Sequence, residues 1–109
     1  MAQEVPRMSK VELRERLHDV VLLDVRSPKD WDRSEWKIKG SRREIPTEEN
    51  RWMERHPKDR TYVLYCGSPN ENTSAGSARK LMEAGYSSVY ALKGGWNEWR
   101  EAQYPMEKK

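Results

Sequence analysis

Thr61-Tyr62-Val63-Leu64-Tyr65-Cys66-Gly67-Ser68-Pro69-Asn70-Glu71-Asn72-Thr73-Ser74-Ala75 reads as a strand, a polar loop and the first turn of a helix. The apolar run ends at Cys66, and a helix is predicted to start at Thr73 or Ser74. A strand, a short loop and a helix in that order aim backbone N–H groups and the positive helix end at the side chain between them. That side chain is the only cysteine of the chain. Such surroundings favour thiolate over thiol, and thiolate is the reactive form. A lone cysteine has no partner within the chain for a structural disulfide, and it is one thiol short of the commonest zinc sites. Two readings stay open on spacing alone: a reactive nucleophile, or an inert buried residue.

Working outward, Ala75, Ala78, Leu81 and Met82 recur at helical spacing up to Ala84, and Gly85 is a natural C-terminal cap. Ser88 to Leu92 is a strand. Gly94-Gly95 makes a tight turn into a helix from Trp96 to about Ala102. Pro105 ends the fold, and Glu107-Lys108-Lys109 is expected to fray. Toward the N-terminus, Val20 to Val25 is a continuous apolar run broken by Asp24, as in a strand buried on both faces. Ser9-Lys10-Val11-Glu12 is a capping-box pattern opening a helix over Lys10 to His18, with Val11, Leu13 and Leu17 on its apolar face. Ser27-Pro28 starts a turn or short helix through Trp31. The polar stretch from Asp32 to Ile45 carries no clear period. Ile45-Pro46 is expected to follow a short extended stretch, and Thr47 to cap a helix through about Arg55, stopped by Pro57. Strands alternating with helices imply an α/β fold, a parallel sheet with helices on both faces. Ligand sites of such sheets lie beyond the carboxyl ends of the strands, here at Cys66 and at Asp24-Val25.

At 109 residues the chain is expected to form one domain over 1–109, with its core at about 9–105. Charged residues, at 36%, slightly outnumber apolar ones, so a core must lean on large aromatics; five Trp and five Tyr supply them. The first eight residues hold no apolar signal region and no stretch is long enough to span a bilayer, so no membrane insertion is expected. A single cysteine suits a reducing compartment, and a cytoplasmic location is expected. Lys37, Lys39, Arg42 and Arg43 make the densest basic cluster, either an anion or nucleic-acid patch or a solvated loop. With a net charge of +3 and acids interspersed elsewhere, no nucleic-acid partner is expected.

Three blocks of residues resemble the rhodanese-like superfamily, together spanning roughly Ser9 to Pro105. Leu22-Leu23-Asp24-Val25-Arg26 with Pro28, Asp30, Trp31 and Ile38-Lys39-Gly40-Ser41 looks like its N-terminal signature. Tyr65-Cys66 with Ser74-Ala75, Ala78, Leu81, Gly85-Tyr86 and Val89 resembles its active-site strand, loop and helix. Leu92-Lys93-Gly94-Gly95-Trp96 with Trp99, Ala102, Tyr104 and Pro105 is similar to its C-terminal signature. The resemblance implies a sheet of about five parallel strands flanked by helices. It also implies a sulfurtransferase or persulfide carrier without cofactor or metal. Cys66 takes sulfane sulfur from a small anionic donor such as thiosulfate, or from a persulfide donor. An acceptor such as cyanide or a thiol, on a small molecule or a protein, then removes it. Gly67, Ser68, Pro69, Asn70, Glu71, Asn72, Thr73 and Ser74 would form the loop cradle, and loop N–H groups suit a persulfide anion. Asp24 and Arg26 are candidates for the site rim, with a structural ion pair as the alternative. Trp31, Trp36, Trp96 and Trp99 are read as core or rim packing, and Arg79 as solvent-facing. His18 and His56 lie in segments with no link to Cys66.

The loop departs from the commonest sulfurtransferase pattern. It is about two residues longer, resembling a longer-loop variant of the family, and no basic residue stands between Cys66 and Arg79. Glu35-Trp36-Lys37-Ile38 replaces the Gly-His-Ile element often seen in the N-terminal signature. Glu71 opposes thiolate formation if its carboxylate lies near the sulfur; alternatively it accepts backbone N–H bonds and holds the loop closed. Two other functions compete: a non-catalytic rhodanese-like binding module, and a phosphatase or arsenate reductase. The last would need an arginine near Glu71-Asn72-Thr73 to hold a tetrahedral dianion, and none is there.

Overall fold

The computed structural model describes residues 4–68 and 70–109, so Pro69 of the expected cradle lies outside the described residues. The elements run β1 (Arg7–Met8), α1 (Lys10–Glu15), β2 (Val21–Asp24), α2 (Pro28–Arg33), β3 (Trp36–Ile38) and β4 (Arg42–Arg43). They continue with α3 (Glu49–Trp52), β5 (Thr61–Tyr65), α4 (Asn72–Glu83), β6 (Ser88–Leu92), α5 (Gly95–Glu101) and β7 (Met106–Lys108). Five strands pair in parallel in the order β1-β6-β5-β2-β4, as expected for the fold class. No helix among the described residues is long and apolar enough to cross a membrane.

Strand alternation sends successive residues to opposite faces, and it separates two cores. Leu23, Tyr62, Leu64 and Ala91 pack with Trp52 of α3 and with Ala75, Ala78 and Leu81 of α4. Leu22, Val63, Tyr65 and Leu92 pack with Leu13 of α1, Ile38 of β3, and Trp96 and Trp99 of α5. The apolar runs at Val21–Asp24 and Thr61–Tyr65 therefore belong to strands covered on both sides.

Several local expectations are corrected. The Ser9 side chain does accept the Glu12 N–H at 3.1 Å. The Glu12 carboxylate, however, pairs with Arg16 at 3.0 Å, and α1 ends at Glu15 rather than His18. Val11 is 46% exposed, so α1 docks through Leu13, with Leu17 half-buried beside it. Thr47 is no cap: its φ is +70°, and its N–H donates at 2.9 Å to the Glu49 carboxylate, which lies inside the helix that follows. That helix spans Glu49–Trp52 and continues as a short 3-10 turn, Met53–Arg55. The extended stretch expected before Pro46 is β4, two residues long.

The largest correction concerns the tail. Met106–Lys108 does not fray but pairs antiparallel with Trp36–Ile38, Ile38 opposite Met106. The tail has apolar and polar anchors: Met106 packs on the second core, the Trp99 indole donates to Pro105 O at 2.9 Å, and Lys109 N–H donates to Glu35 O at 3.1 Å. The basic cluster is likewise partly structural. Lys37 pairs with Glu107 at 3.4 Å, and Arg43 donates to Asp24 O at 3.2 Å.

Candidate active site

The central strand β5 delivers Cys66 just beyond its carboxyl end, where the side chain is 1% exposed. Among the described residues, the hydrogen-bond partners of its sulfur are two serines. The Ser68 hydroxyl lies at 3.2 Å. The thiol donates to Ser74 Oγ at 3.4 Å, and the Ser74 N–H donates back to the sulfur at 3.4 Å. Ser74 is the third residue of α4, so this N–H is one of the first-turn donors left without an intrahelical acceptor. It lies at the positive end of a twelve-residue helix, as the sequence order implied.

The C-terminal signature clasps the same residue from behind. The Trp96 N–H donates to Cys66 O at 3.0 Å. Gly95 approaches so closely that a Cβ there would stand 2.5 Å from Cys66 O, and its φ is +58°. Both features demand glycine at this turn.

Glu71 makes the contacts that the loop-holding reading requires. It is 9% exposed, in the left-handed region at φ +60°. Its carboxylate takes Arg7 Nε at 2.8 Å and the Gly94 N–H at 3.1 Å. Its carbonyl accepts the Ala75 N–H at 2.8 Å and the Ser74 hydroxyl at 3.3 Å. One residue thus ties β1, the Gly94 turn and the start of α4 together around the sulfur. Arg7 was missed in the sequence because nothing local marks an arginine in a two-residue edge strand.

The other cradle residues spread out. Gly67 lines a hollow of about 490 Å³ together with Trp96, Trp36, Asp30, Arg33 and Arg100. Asn70 is exposed. Asn72 and Thr73 line a different hollow, with Pro46, Thr47 and Lys80. Asp30, Arg33 and Arg100 were not singled out as site residues; only Asp30 carried a signal, through the N-terminal signature.

Asp24 and Arg26, candidates for the rim or for a structural ion pair, are wholly buried and form that pair. Arg26 Nη2 donates to Asp24 Oδ2 at 2.7 Å, and Tyr65 OH donates to the same oxygen at 2.7 Å. The guanidinium also donates to Trp36 O at 3.0 Å. It lies 4.6 Å from the Trp96 ring, 5.3 Å from Trp31 and 5.7 Å from Tyr65. Its Nη1 has no hydrogen-bond acceptor among the described residues; aromatic faces surround the cation instead. Burial, and then the Asp24 charge, push the Tyr65 phenol far above its ordinary range. The pair is buried because two strand ends and three rings close over it, and a buried carboxylate demands such a partner.

His56 is bound elsewhere, to Glu44 at 2.7 Å, edge-on to Trp52 and Tyr62. His18 is exposed. No group of three acids, histidines or cysteines among the described residues is arranged to hold a metal.

Residues 9–102 match the family model of the rhodanese-like domain, and the chain belongs to that family. Its fold is similar to that of a rhodanese-related protein of Thermoplasma volcanium, 23% identical over 95% of this chain and 99% of that one, with a TM-score of 0.81. A protein of Rhodopseudomonas palustris, described as of unknown function and a possible tyrosine phosphatase, is 24% identical over 94% of this chain and 85% of its own, TM-score 0.80. Reduced CoADR-RHD of Bacillus anthracis is 28% identical over 84% of this chain but only 16% of its own, TM-score 0.71.

Proposed function

We propose that this protein is a sulfurtransferase that carries sulfane sulfur as a Cys66 persulfide. The observation that carries the reading is the position of Cys66: at the end of the central strand, with the first-turn N–H of α4 and two serine hydroxyls on its sulfur. In the first step the Cys66 thiolate attacks the outer sulfur of a donor such as thiosulfate. The sulfur–sulfur bond of the donor breaks, and sulfite leaves with the electron pair. In the second step a thiolate or cyanide attacks the outer sulfur of the persulfide, and Cys66 leaves as thiolate. No net oxidation is required, and the covalent intermediate divides one transfer into two. Ser74 N–H supplies a donor that adds no proton, and the Ser68 and Ser74 hydroxyls can turn to donate once the sulfur is charged. The acceptor thiol belongs to a small molecule or a protein, and a reducing, cytoplasm-like compartment keeps such a thiol available.

Intact mass tests this directly. Thiosulfate or polysulfide should add one sulfur atom to the protein, cyanide or dithiothreitol should remove it, and Cys66→Ser should gain none. A wild-type chain that takes up no sulfur from either donor would mean a non-catalytic binding module. The nearly complete burial of the thiol, which donates a hydrogen bond to Ser74 Oγ, is the observation on that side. Phosphatase chemistry is less well served. Residues 67 to 73 contain no cation for a tetrahedral dianion, and the arginine nearest in the network, Arg7, is held by Glu71.

A further inference from the structure

The hollow beside Gly67 is lined by four charged side chains, two of each sign: Arg33 and Arg100, Asp30 and Glu35. None of the four enters an ion pair among the described residues. Elsewhere on the surface opposite charges are paired off, Lys10 with Glu98 at 3.1 Å and Lys37 with Glu107 at 3.4 Å, whereas these four stay open to a ligand. The hollow also meets the nucleophile's own loop. A Cβ at Gly67 would stand 2.5 Å from Asp30 Oδ2, so only a residue without a side chain leaves that carboxylate in place. A space of about 490 Å³ falls in the range that holds small ligands.

We propose that this hollow binds the sulfur acceptor, and that the acceptor is a small thiol bearing both an ammonium and a carboxylate, of the amino-acid type. The proposal rests on the reading of Cys66 as a sulfur carrier. Balanced charge is the core of the argument. A ligand of one sign meets as many like charges as opposite ones, whereas a dipolar ligand can satisfy both pairs. The arginines offer planar donors to a carboxylate, and Asp30 and Glu35 accept from an ammonium. The reacting sulfur of a persulfide stands about 2 Å beyond Sγ, and the hollow begins at Gly67, the residue next to Cys66. The acceptor thiolate then attacks that outer sulfur, the bond to Cys66 Sγ breaks, and Cys66 departs as thiolate while the acceptor leaves as its persulfide.

The test loads the full chain with polysulfide, verifies the added sulfur by mass, and follows its removal by four thiols. These are cysteine, N-acetylcysteine (carboxylate only), cysteine methyl ester (ammonium only) and 2-mercaptoethanol (neither). Each rate is divided by that of the same thiol with a free low-molecular-weight persulfide, which removes differences in thiol acidity. Cysteine should lead the others by about tenfold, in keeping with two exposed charge contacts. Arg33→Gln with Arg100→Gln should bring cysteine down to the methyl ester, and Asp30→Asn with Glu35→Gln should bring it down to N-acetylcysteine. Equal corrected rates, or a lead that survives both double variants, would overturn the proposal. A second arm does not depend on transfer: Cys66→Ser is titrated with S-methylcysteine while the indole N–H signals of Trp36 and Trp96 are followed by NMR. Shifts with S-methylcysteine, absent with the neutral thioether 2-(methylthio)ethanol, support the site, and their absence overturns it. Should Cys66 take up no sulfur at all, the carrier reading fails, and this arm decides the binding site separately.

Discussion

The carboxyl ends of β2 and β5 lie side by side, with Asp24 in register with Tyr65, and they are finished in opposite ways. The β2 end buries a full charge pair. Asp24 takes Arg26 and Tyr65, and Arg26 is roofed by three aromatic rings. The β5 end buries a sulfur that is neutral while protonated and has two hydroxyls and one N–H for company. A buried charge must be fully partnered at all times, so the first end is locked. A thiol can be buried with weak partners and acquires charge only when it loses its proton, so the second end is free to change state. The two are coupled through Tyr65, which spans both, and through Trp96, whose ring lies on Arg26 and whose N–H holds Cys66 O. A rigid ionic end thereby fixes the place of a chemically variable one.

Breaking the lock should have the largest effect. Asp24→Ala strands a buried guanidinium and is expected to cost about 3–5 kcal/mol, read from urea denaturation. A loss under about 1 kcal/mol would mean that the β2 end is no lock. Trp99→Ala comes next, at about 3 kcal/mol or more. Trp99 is fully buried, edge-on to Tyr104 at 5.1 Å, and it seats the helix that carries Trp96. An unchanged melting temperature would show that α5 does not depend on this anchor.

How much of this contrast was legible in the sequence follows from the range of each interaction. The β5 end was readable because strand, loop and helix are contiguous and each carries its own period. The Asp24–Arg26 pair was visible as an alternative because the partners are two residues apart, but their burial depended on Trp31, Tyr65 and Trp96 converging from separate elements. Arg7 with Glu71, and the β3–β7 pairing, were not readable at all. Their strands are two or three residues long, carry no hydrophobic alternation, and exist only because a distant segment supplies the partner. Lys108 and Lys109 look like a solvated tail, yet they lie over Trp36 and Trp31.

Smaller tests sharpen the account of the β5 end. Arg7→Gln leaves the Glu71 carboxylate without its cation beside the loop and should slow Cys66 alkylation at neutral pH. Glu71→Gln, which loses the same pairing and loosens the loop, should not speed it. The half-exposed Arg7–Glu71 pair itself should contribute about 1 kcal/mol or less. Faster alkylation in Glu71→Gln would revive the reading of Glu71 as a repelling charge.

A third buried acid gives the smallest effect. Burial pushes the Glu49 carboxyl up, but donation from Ser77 Oγ at 2.6 Å and from the Thr47 N–H, with Lys80 nearby, more than offsets it and leaves the acid below its ordinary value. Its stabilising contribution is therefore whole above the unfolded value of about 4.3 and is lost as pH falls through the lower folded value. Glu49→Gln should make the acid limb of the stability curve shallower in that window, with Glu107, also held below its ordinary value by the Gly40 N–H and Lys37, still contributing to the remainder. An acid limb as steep as the wild type's would assign the effect to other groups.

The pairing of Met106–Lys108 with Trp36–Ile38 carries a kinetic consequence. Closing so long a stretch of chain sacrifices conformational freedom before the short ladder returns any bonding. This ribbon is expected to form after the five-stranded sheet and to open before it. While it is open, the Arg26 cation lacks its well-placed Trp36 carbonyl and the wall of the hollow beside Gly67 has no backing. Amide exchange should therefore be fast at Lys109, whose partner is Glu35 O, and slow at Val25, whose partner is Tyr65 O. Equal protection at the two amides would make them one cooperative unit. Unequal protection would mean that the charged wall of the hollow is a late, detachable addition to a nucleus that already holds its cysteine in place.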